Sequence, residues 1–506
     1  MIGSITCAGL CGFGAKKVKV EVDILRGLPA FCMVGLAENS VKEARVRVQS
    51  AITNCGFEFP SSRISINLAP ADIPKDGTGF DLSIALGVLQ AMGVLTKAML
   101  QNIACISELS LSGELKPIKG ILSIAECLKE QGFKILIVAK ENYSEASLIK
   151  DLDVRIAGNL FDIVAALRDK TVDQLPKGVT DADIPENCEM DLADVCGQEE
   201  AKRALLISAA GNHNLLFVGG PGSGKSMMAN RLPSIMPPLE YEESLLVTKI
   251  HSIAGLTITG GLVRKRPFRS PHHSTTRAGL VGGGSSFIKP GEISLACNGV
   301  LFLDELLEFP RSVLEVLRQP LESGEITLSR ALHNVTFPAN FSLVAALNPC
   351  PCGNFGQPKK KCVCSGLSIT RYQSRLSGPL LDRIDLHVDV PSLDLGLMTK
   401  NSQSESSKSF QERVVKARLK QHQRLGKNRT NGKMQRKQIK EFALLNKDAE
   451  VFLLGAAQKL DLSARSFDRI IKVARSIADL DDSKQVETPH VREALHYRGS
   501  CISAKS

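Results

Sequence analysis

Residues 215–226 read LLFVGGPGSGKS, and this stretch decides the fold. Four apolar residues, Leu215 to Val218, run into a turn that fits G-x-x-x-x-G-K-[ST]. Gly219, Gly220, Pro221, Gly222, Ser223 and Gly224 form the turn, and Lys225 and Ser226 close it. The residues that follow, MMANRL, suit a helix, so the order is strand, loop, helix, the context this motif requires. Glycines matter because side chains would hold the backbone N–H groups away from phosphate oxygens. A helix beginning at Lys225 turns its positive end toward the same phosphates. Lys225 is expected on the β- and γ-phosphates of a nucleoside triphosphate, and Ser226 on Mg2+. The competing reading is an ordinary glycine-rich turn; the flanking order and the next motif weigh against it.

That next motif is GVLFLDE, residues 299–305, an apolar run ending in two acids. Asp304 is expected to hold Mg2+, usually through water, and Glu305 to act as general base on the attacking water. By itself the pattern is weak; about eighty residues after a complete phosphate loop it becomes strong. VAALNPC, 344–350, is another apolar strand ending in a polar residue, Asn348. Strand ends converge on the ligand in parallel sheets, so Asn348 is placed to orient water. SGPLLDRIDL, 377–386, sets Arg383 after a short helix. An arginine beside the γ-phosphate speeds phosphoryl transfer, although an LLDR segment alone is more often a surface salt bridge.

The length, 506 residues, suits roughly two to four domains. With 43% hydrophobic and 23% charged residues the chain reads as a globular protein. No apolar run reaches the ~20 residues of a membrane span. The N-terminus reads as a first strand rather than a signal peptide, so the chain is expected in the cytoplasm with no membrane partner. Residues 1–175 alternate strands and helices, an α/β or α+β pattern. Residues 176–191 are polar, with prolines and no periodicity, and read as a linker. A parallel-sheet unit is expected over 192–391. A polar then basic linker or helix follows over 392–440, and a helical unit over 441–506.

Five segments carry a resemblance: RPFRSPHHSTTRAGLVGGG (266–284), PGEISLACNGVLFLDELLEF (290–309), LRQPLESGEITLSRA (317–331), PANFSLVAALNPCPCG (338–353) and RLSGPLLDRIDLHVDV (375–390). Together they resemble the magnesium-chelatase-like AAA+ family, and within it the bacterial competence branch of ComM/YifB-like proteins. The resemblance implies an ATP- and Mg2+-dependent AAA+ ATPase that works as a homohexameric ring. It makes Asn348 sensor 1, Arg383 an arginine finger reaching the next subunit, and Arg465 sensor 2 on the helical lid. Residues 251–293 resemble the helix-2 insert and 325–337 the pre-sensor-1 hairpin, both commonly facing the pore. The N-terminal unit resembles the Lon protease domain, of ribosomal S5-like fold. In IPKDGTGFD (73–81) the nucleophile's position is taken by Gly79, and in GELKPIKGILSI (113–124) the catalytic lysine's falls at about Ile124. With neither group present, this domain is expected not to be a protease.

Most of the 14 cysteines stand singly in apolar settings, as small buried hydrophobes in a reducing compartment. Cys350, Cys352, Cys362 and Cys364 differ: two close pairs, separated by a short lysine-rich loop, suit tetrahedral Zn2+. The C-x-C spacing departs from the commoner C-x₂₋₄-C, so reduced thiols or a labile disulfide pair compete with the zinc reading. Net charge is 63 − 53 = +10. Basic residues gather at Arg264, Lys265, Arg266, Arg269, Arg277 and the His272–His273 pair, at Lys359 to Lys361, and along Lys400 to Lys440. Solvated faces explain most such runs; the functional reading is contact with a phosphate backbone. Few aromatics interleave, so base stacking is not indicated. Three functions compete: a DNA motor driving branch migration, which the resemblance implies, a chelatase-type remodeller, and a protein remodeller.

Overall fold

The structure is a computed structural model that describes residues 2–35, 43–71, 75, 78–178, 190–256, 261–284, 288–329, 334–356, 360–391 and 405–498. Most of the linker, much of the polar stretch after 391, the hairpin turn at 330–333, Lys359, Lys400 and the last eight residues lie outside it.

Alternation in the first seventy residues forms β1 (Ile2–Cys11), β2 (Gly14–Leu25), β3 (Ala30–Val34), the helix α1 (Ala44–Asn54) and β4 (Arg63–Ala69). The sheet order is β1-β2-β4-β3, antiparallel except between β3 and β4. Helix α2 (Asp81–Ala91) is buried along its whole length, which is why it has no polar face. A parallel sheet of β5 (Ile103–Cys105), β6 (Ile135–Val138) and β7 (Asp153–Ile156) follows, with α3 (Ile121–Glu130) and α4 (Leu160–Asp169).

The central unit holds α5 (Glu199–Gly211), β8 (Leu215–Val218), α6 (Lys225–Ile235), α7 (Tyr241–Ala254), β9 (Phe268–Arg269), β10 (Val300–Leu303), the hairpin β11 (Glu325–Ser329) and β12 (Asn334–Pro338), β13 (Ser342–Leu347) and β14 (Leu386–Asp389). Its five-stranded sheet runs β9-β10-β13-β8-β14, parallel throughout. Every residue of β8, β10 and β13 is buried. Burial on both faces explains why these strands read as unbroken apolar runs. Val218 pairs with Leu347 on one side and Asp389 on the other, bringing three strand ends to one crevice.

The C-terminal region is helical: α8 (Ser407–Leu425), α9 (Arg436–Phe442), α10 (Lys447–Lys459), α11 (Ala464–Leu480) and α12 (Thr488–His496). It shares one core with a face of the sheet, where Phe217 and Val388 join Val414, Ile470 and Ile477. From residue 407, therefore, the basic stretch expected as linker or helix begins as a packed helix. Phe410, Val414, Ala417 and Gln421 recur at helical spacing and are buried. Arg418 donates to the Ala209 carbonyl at 2.7 Å, and Arg424 pairs with Asp479 at 2.7 Å. The N-terminal unit sits on α7: Lys249 pairs with Glu126 at 2.5 Å, and the Gly120 N–H donates to the Ser252 carbonyl at 3.2 Å. Among the described residues no helix is long and apolar enough to cross a membrane.

One carboxylate ties lid to sheet. Asp385 accepts from the Asn214 N–H at 3.1 Å and from Arg469 of α11 at 3.0 Å, with His213 3.5 Å away. Burial opposes its charge, but Arg469, His213 and the Asn214 N–H hold its carboxyl far below the usual carboxylate range. A folded pKa below the unfolded value of about 3.9 means that this stability is fully present above that value and lost as pH falls toward the folded one. Asp385→Asn is expected to cost about 3–5 kcal/mol at neutral pH and to flatten the acid limb below about pH 5. Urea denaturation of both proteins across that range checks it.

Candidate active site

The glycine loop is fixed at both ends. Gly219 donates to the Leu347 carbonyl at 3.2 Å, and a Cβ added to Gly219 would lie 2.3 Å from the Val390 carbonyl oxygen. Gly224 closes the loop at φ +91°, which side chains resist, and α6 starts at the next residue. Lys225 is buried; its Nζ donates to the carbonyls of Gly219 and Gly220 at 2.8 Å each and to Asn348 Oδ1 at 3.3 Å. Burial pulls its pKa down, and Asp304 and Glu305 push back. Ser226 Oγ donates to Asp304 Oδ2 at 2.6 Å. Glu305 follows in the left-handed region at φ +49°, its side chain half exposed, with His273 Nδ1 3.5 Å from its carboxylate.

These groups line a cavity of about 390 Å³, bounded by Pro221, Ser223, Lys225, Ser226, Asp304 and Asn348 among others. Two features fit a triphosphate with Mg2+. Lys225 has no carboxylate within ion-pair distance among the described residues, and Ser223 Oγ is buried without a hydrogen-bond partner among them. Ser226 and Asp304 together present the hydroxyl and carboxylate that Mg2+ needs.

Arg383 and Arg465 lie elsewhere. Both donate to the same oxygen, Glu322 Oε1, at 2.5 and 2.6 Å. Arg383 is buried, and its Nε has no partner among the described residues. Neither arginine lines the cavity around Lys225. A different cavity, about 630 Å³, is lined by Glu322, Lys433, Arg436, Arg465, Arg469 and Lys472. Arg465, the expected sensor 2, thus lies with Arg383 on Glu322 rather than at the cavity around Lys225. Arg465 is the second residue of α11, and Glu322 claims its guanidinium. Glu322 was not singled out from sequence, although LESGE lies inside a resembling segment, and His273 was read only as part of the basic insert.

Gly79 and Ile124 line one cavity of about 400 Å³ with Thr78, Glu108, Lys119 and Lys289. The four clustered sulfurs converge. Cys350 Sγ lies 3.3 Å from Cys352 and 3.7 Å from Cys362, and Cys352 lies 3.6 Å from Cys362. All four, Cys364 included, lie within 4.8 Å of one another. The basic insert is partly neutralised: Arg266 pairs with Glu243 at 2.9 Å and Arg269 with Glu292 at 2.6 Å.

A parallel sheet of this order, a glycine loop at the end of β8 and an Asp–Glu pair at the end of β10 define a P-loop ATPase of the AAA+ type. Comparison with known proteins narrows the class. Family profiles described as "Magnesium chelatase, subunit ChlI", "Subunit ChlI of Mg-chelatase" and "Magnesium chelatase, subunit ChlI C-terminal" match residues 191–397, 20–142 and 404–498. The chain is 44% identical over 493 residues to the competence protein ComM of Haemophilus influenzae, covering 96% of this chain and 95% of that one. It is 45% identical over 488 residues to the uncharacterized protein YifB of Escherichia coli, with the same coverage. A Lon protease of Mesomycoplasma hyopneumoniae is 28% identical over 147 residues, 28% of this chain and 17% of that one. The chain belongs to the magnesium-chelatase-like ComM/YifB family, whose AAA+ core implies ATP and Mg2+.

Gly219→Ala places a Cβ 2.3 Å from backbone oxygen, so the loop must shift. Binding of a fluorescent ATP analogue is expected to weaken at least about tenfold, with melting lowered by only a few degrees.

Proposed function

We propose that the chain works as a homohexameric ring that hydrolyses ATP to move along DNA and drive branch migration, in natural transformation or homologous recombination. The separation of Arg383 from Lys225 carries the ring reading. Asn214, just before β8, holds the Arg383 carbonyl at 2.9 Å, while the phosphate loop leaves the far end of that strand. Four residues at about 3.3 Å each set about 13 Å between the two ends, beyond an arginine's reach. Arg383 and Arg465, joined through Glu322, therefore serve the nucleotide of a neighbouring subunit. Near-full-length likeness to a protein named for competence, the charge of +10 and the exposed Arg277 favour DNA as the polymer moved.

In this reading Lys225 leaves the Gly219 and Gly220 carbonyls for the β- and γ-phosphate oxygens. Asn348 orients the attacking water and Glu305 takes its proton. The water oxygen bonds the γ-phosphorus as the bond to the ADP oxygen breaks. The neighbour's two arginines offset the charge that builds on the phosphoryl group. Mg2+, held by Ser226 and Asp304, supplies further neutralisation of the phosphate oxygens. The N-terminal unit, with Gly79 and Ile124 at the Lon-like positions, is not a protease, and the protein acts in the cytoplasm. Cys350, Cys352, Cys362 and Cys364 hold a structural Zn2+. The matched profiles' descriptions favour a second reading, a chelatase-type motor that drives metal insertion into a tetrapyrrole.

ATPase rates with forked or four-way DNA, porphyrin or unfolded protein separate the readings, with Lys225→Ala as control. DNA is expected to stimulate and high salt to remove the effect; no DNA response at any salt overturns the motor, and porphyrin stimulation selects the second reading. Glu305→Gln is expected to bind ATP and lose about 10²–10⁴ in hydrolysis. Arg383→Ala is expected to bind ATP normally and lose about 10³ in turnover of the assembled ring.

A further inference from the structure

The lobe that carries the four cysteines follows β13 directly. Asn348, whose Oδ1 accepts from Lys225, is two residues before Cys350. Gln373 Nε2 holds the intervening Pro349 carbonyl at 3.0 Å. Within residues 350–356 and 360–365 there are turns but no helix or strand. Nor do the described residues of the lobe supply an apolar core: Val363 is 84% exposed and Phe355 38%. Its sulfurs are what converge. Tetrahedral thiolates about 2.3 Å from zinc stand about 3.8 Å apart, against the 3.3, 3.6 and 3.7 Å found here. The Phe355 N–H points at Cys350 Sγ at 3.3 Å, the kind of outer hydrogen bond that orients a metal thiolate. Four thiolates around Zn2+ carry a net charge of −2, and Lys360 and Lys361 lie in the same short loop.

Between the two cysteine pairs the lobe touches the phosphate loop. Gly353 sits at φ +77°, its N–H donating to the Cys350 carbonyl at 2.9 Å. A Cβ there would lie 2.5 Å from Pro221 Cδ, and Pro221 lines the nucleotide cavity. Gly356, three residues on, has the same φ of +77°, yet a Cβ there meets nothing within 4 Å.

We propose that the zinc-held lobe is a buttress for the phosphate loop: Gly353 packs on Pro221, and the metal's presence sets nucleotide affinity. The proposal rests on the zinc reading above and adds a role to it. With the metal removed, only turns and a few hydrogen bonds hold Gly353 in place, and Pro221 loses its support.

The test uses the full chain purified under reducing conditions. Zinc is counted by mass spectrometry, and cobalt is exchanged in to look for the thiolate charge-transfer and d–d bands of a tetrahedral four-sulfur site. Affinity for a fluorescent non-hydrolysable ATP analogue is then measured on holoprotein, chelator-stripped protein, zinc-restored protein, Gly353→Ala and Gly356→Ala. One zinc per chain is expected. Stripping should weaken affinity at least about tenfold, and zinc should restore it. Gly353→Ala should keep its zinc and weaken affinity similarly, whereas Gly356→Ala, equally strained but free of contact, should match the parent. Stoichiometric zinc with unchanged affinity after stripping and in Gly353→Ala overturns the buttress and leaves the zinc site standing. Equal loss in both glycine variants overturns it as well, since backbone strain alone then suffices. Absence of both stoichiometric zinc and the cobalt spectrum removes the metal site and the buttress with it.

Discussion

The carboxylate of Asp385 joins pieces of chain that are remote in sequence, and the position of the nucleotide loop depends on them. Asn214 donates its N–H to Asp385, and its carbonyl accepts from the N–H groups of Asp385 and Leu386 at 3.0 Å. Its side-chain oxygen accepts from the Leu343 N–H at 3.0 Å, and its amide donates to the Arg383 carbonyl. One asparagine therefore starts β8 in register with β13 and β14 together. A slip there would move Gly219 off the Leu347 carbonyl at the other end of β8. Arg469 brings α11 to the same carboxylate, and His213 continues the network into α11 through Ser476 at 2.8 Å. Lid, sheet and loop are one hydrogen-bonded unit, in which a half-satisfied member would be costly.

That unit also fixes which way each group faces. The loop leaves the carboxyl end of β8, whereas the backbone of Arg383 is pinned beside its amino end. Two guanidinium groups share one carboxylate oxygen at Glu322, beside a cavity lined by Lys433, Arg436 and Lys472 together with Glu325 and Asp468. Burial lowers the pKa of both Lys433 and Lys472, and Asp385 pushes back on each.

Much of the central unit was legible because its signals are local. The apolar runs of β8, β10 and β13 each end at a residue of the cavity, since parallel strands buried on both faces show no alternation and their ends share one edge. The cysteine spacing likewise foretold that the sulfurs would gather. The pairing of Arg465 was not legible, because its partner, Glu322, lies 143 residues away in sequence and no periodicity links them. How deeply the basic stretch to Lys440 is packed was hidden for a related reason. Charge dominated its composition, while the helical recurrence of Phe410, Val414 and Leu425 was the weaker sign, and it was the one that described α8.

The same point bears on reading partners from net charge. Of the cations that make the chain basic, Arg266, Arg418, Arg424 and Arg475 are spent on carbonyls and carboxylates inside the fold. Their guanidinium groups are engaged within the fold and are not presented to a partner. A surface that meets a phosphate backbone must be built from others, of which exposed Arg277 in the insert is the clearest. The insert is also mechanically linked. Lys249 of α7 lies 4.9 Å from the centre of the Phe13 ring, and Phe13 meets Phe337 of the β11–β12 hairpin edge-on at 6.3 Å. The turn between β1 and β2 is thereby wedged between the helix leading into the insert and the base of the hairpin. A shift of either element must be accommodated by the N-terminal unit or resisted by it, because cores packed this closely have discrete arrangements rather than continuous ones.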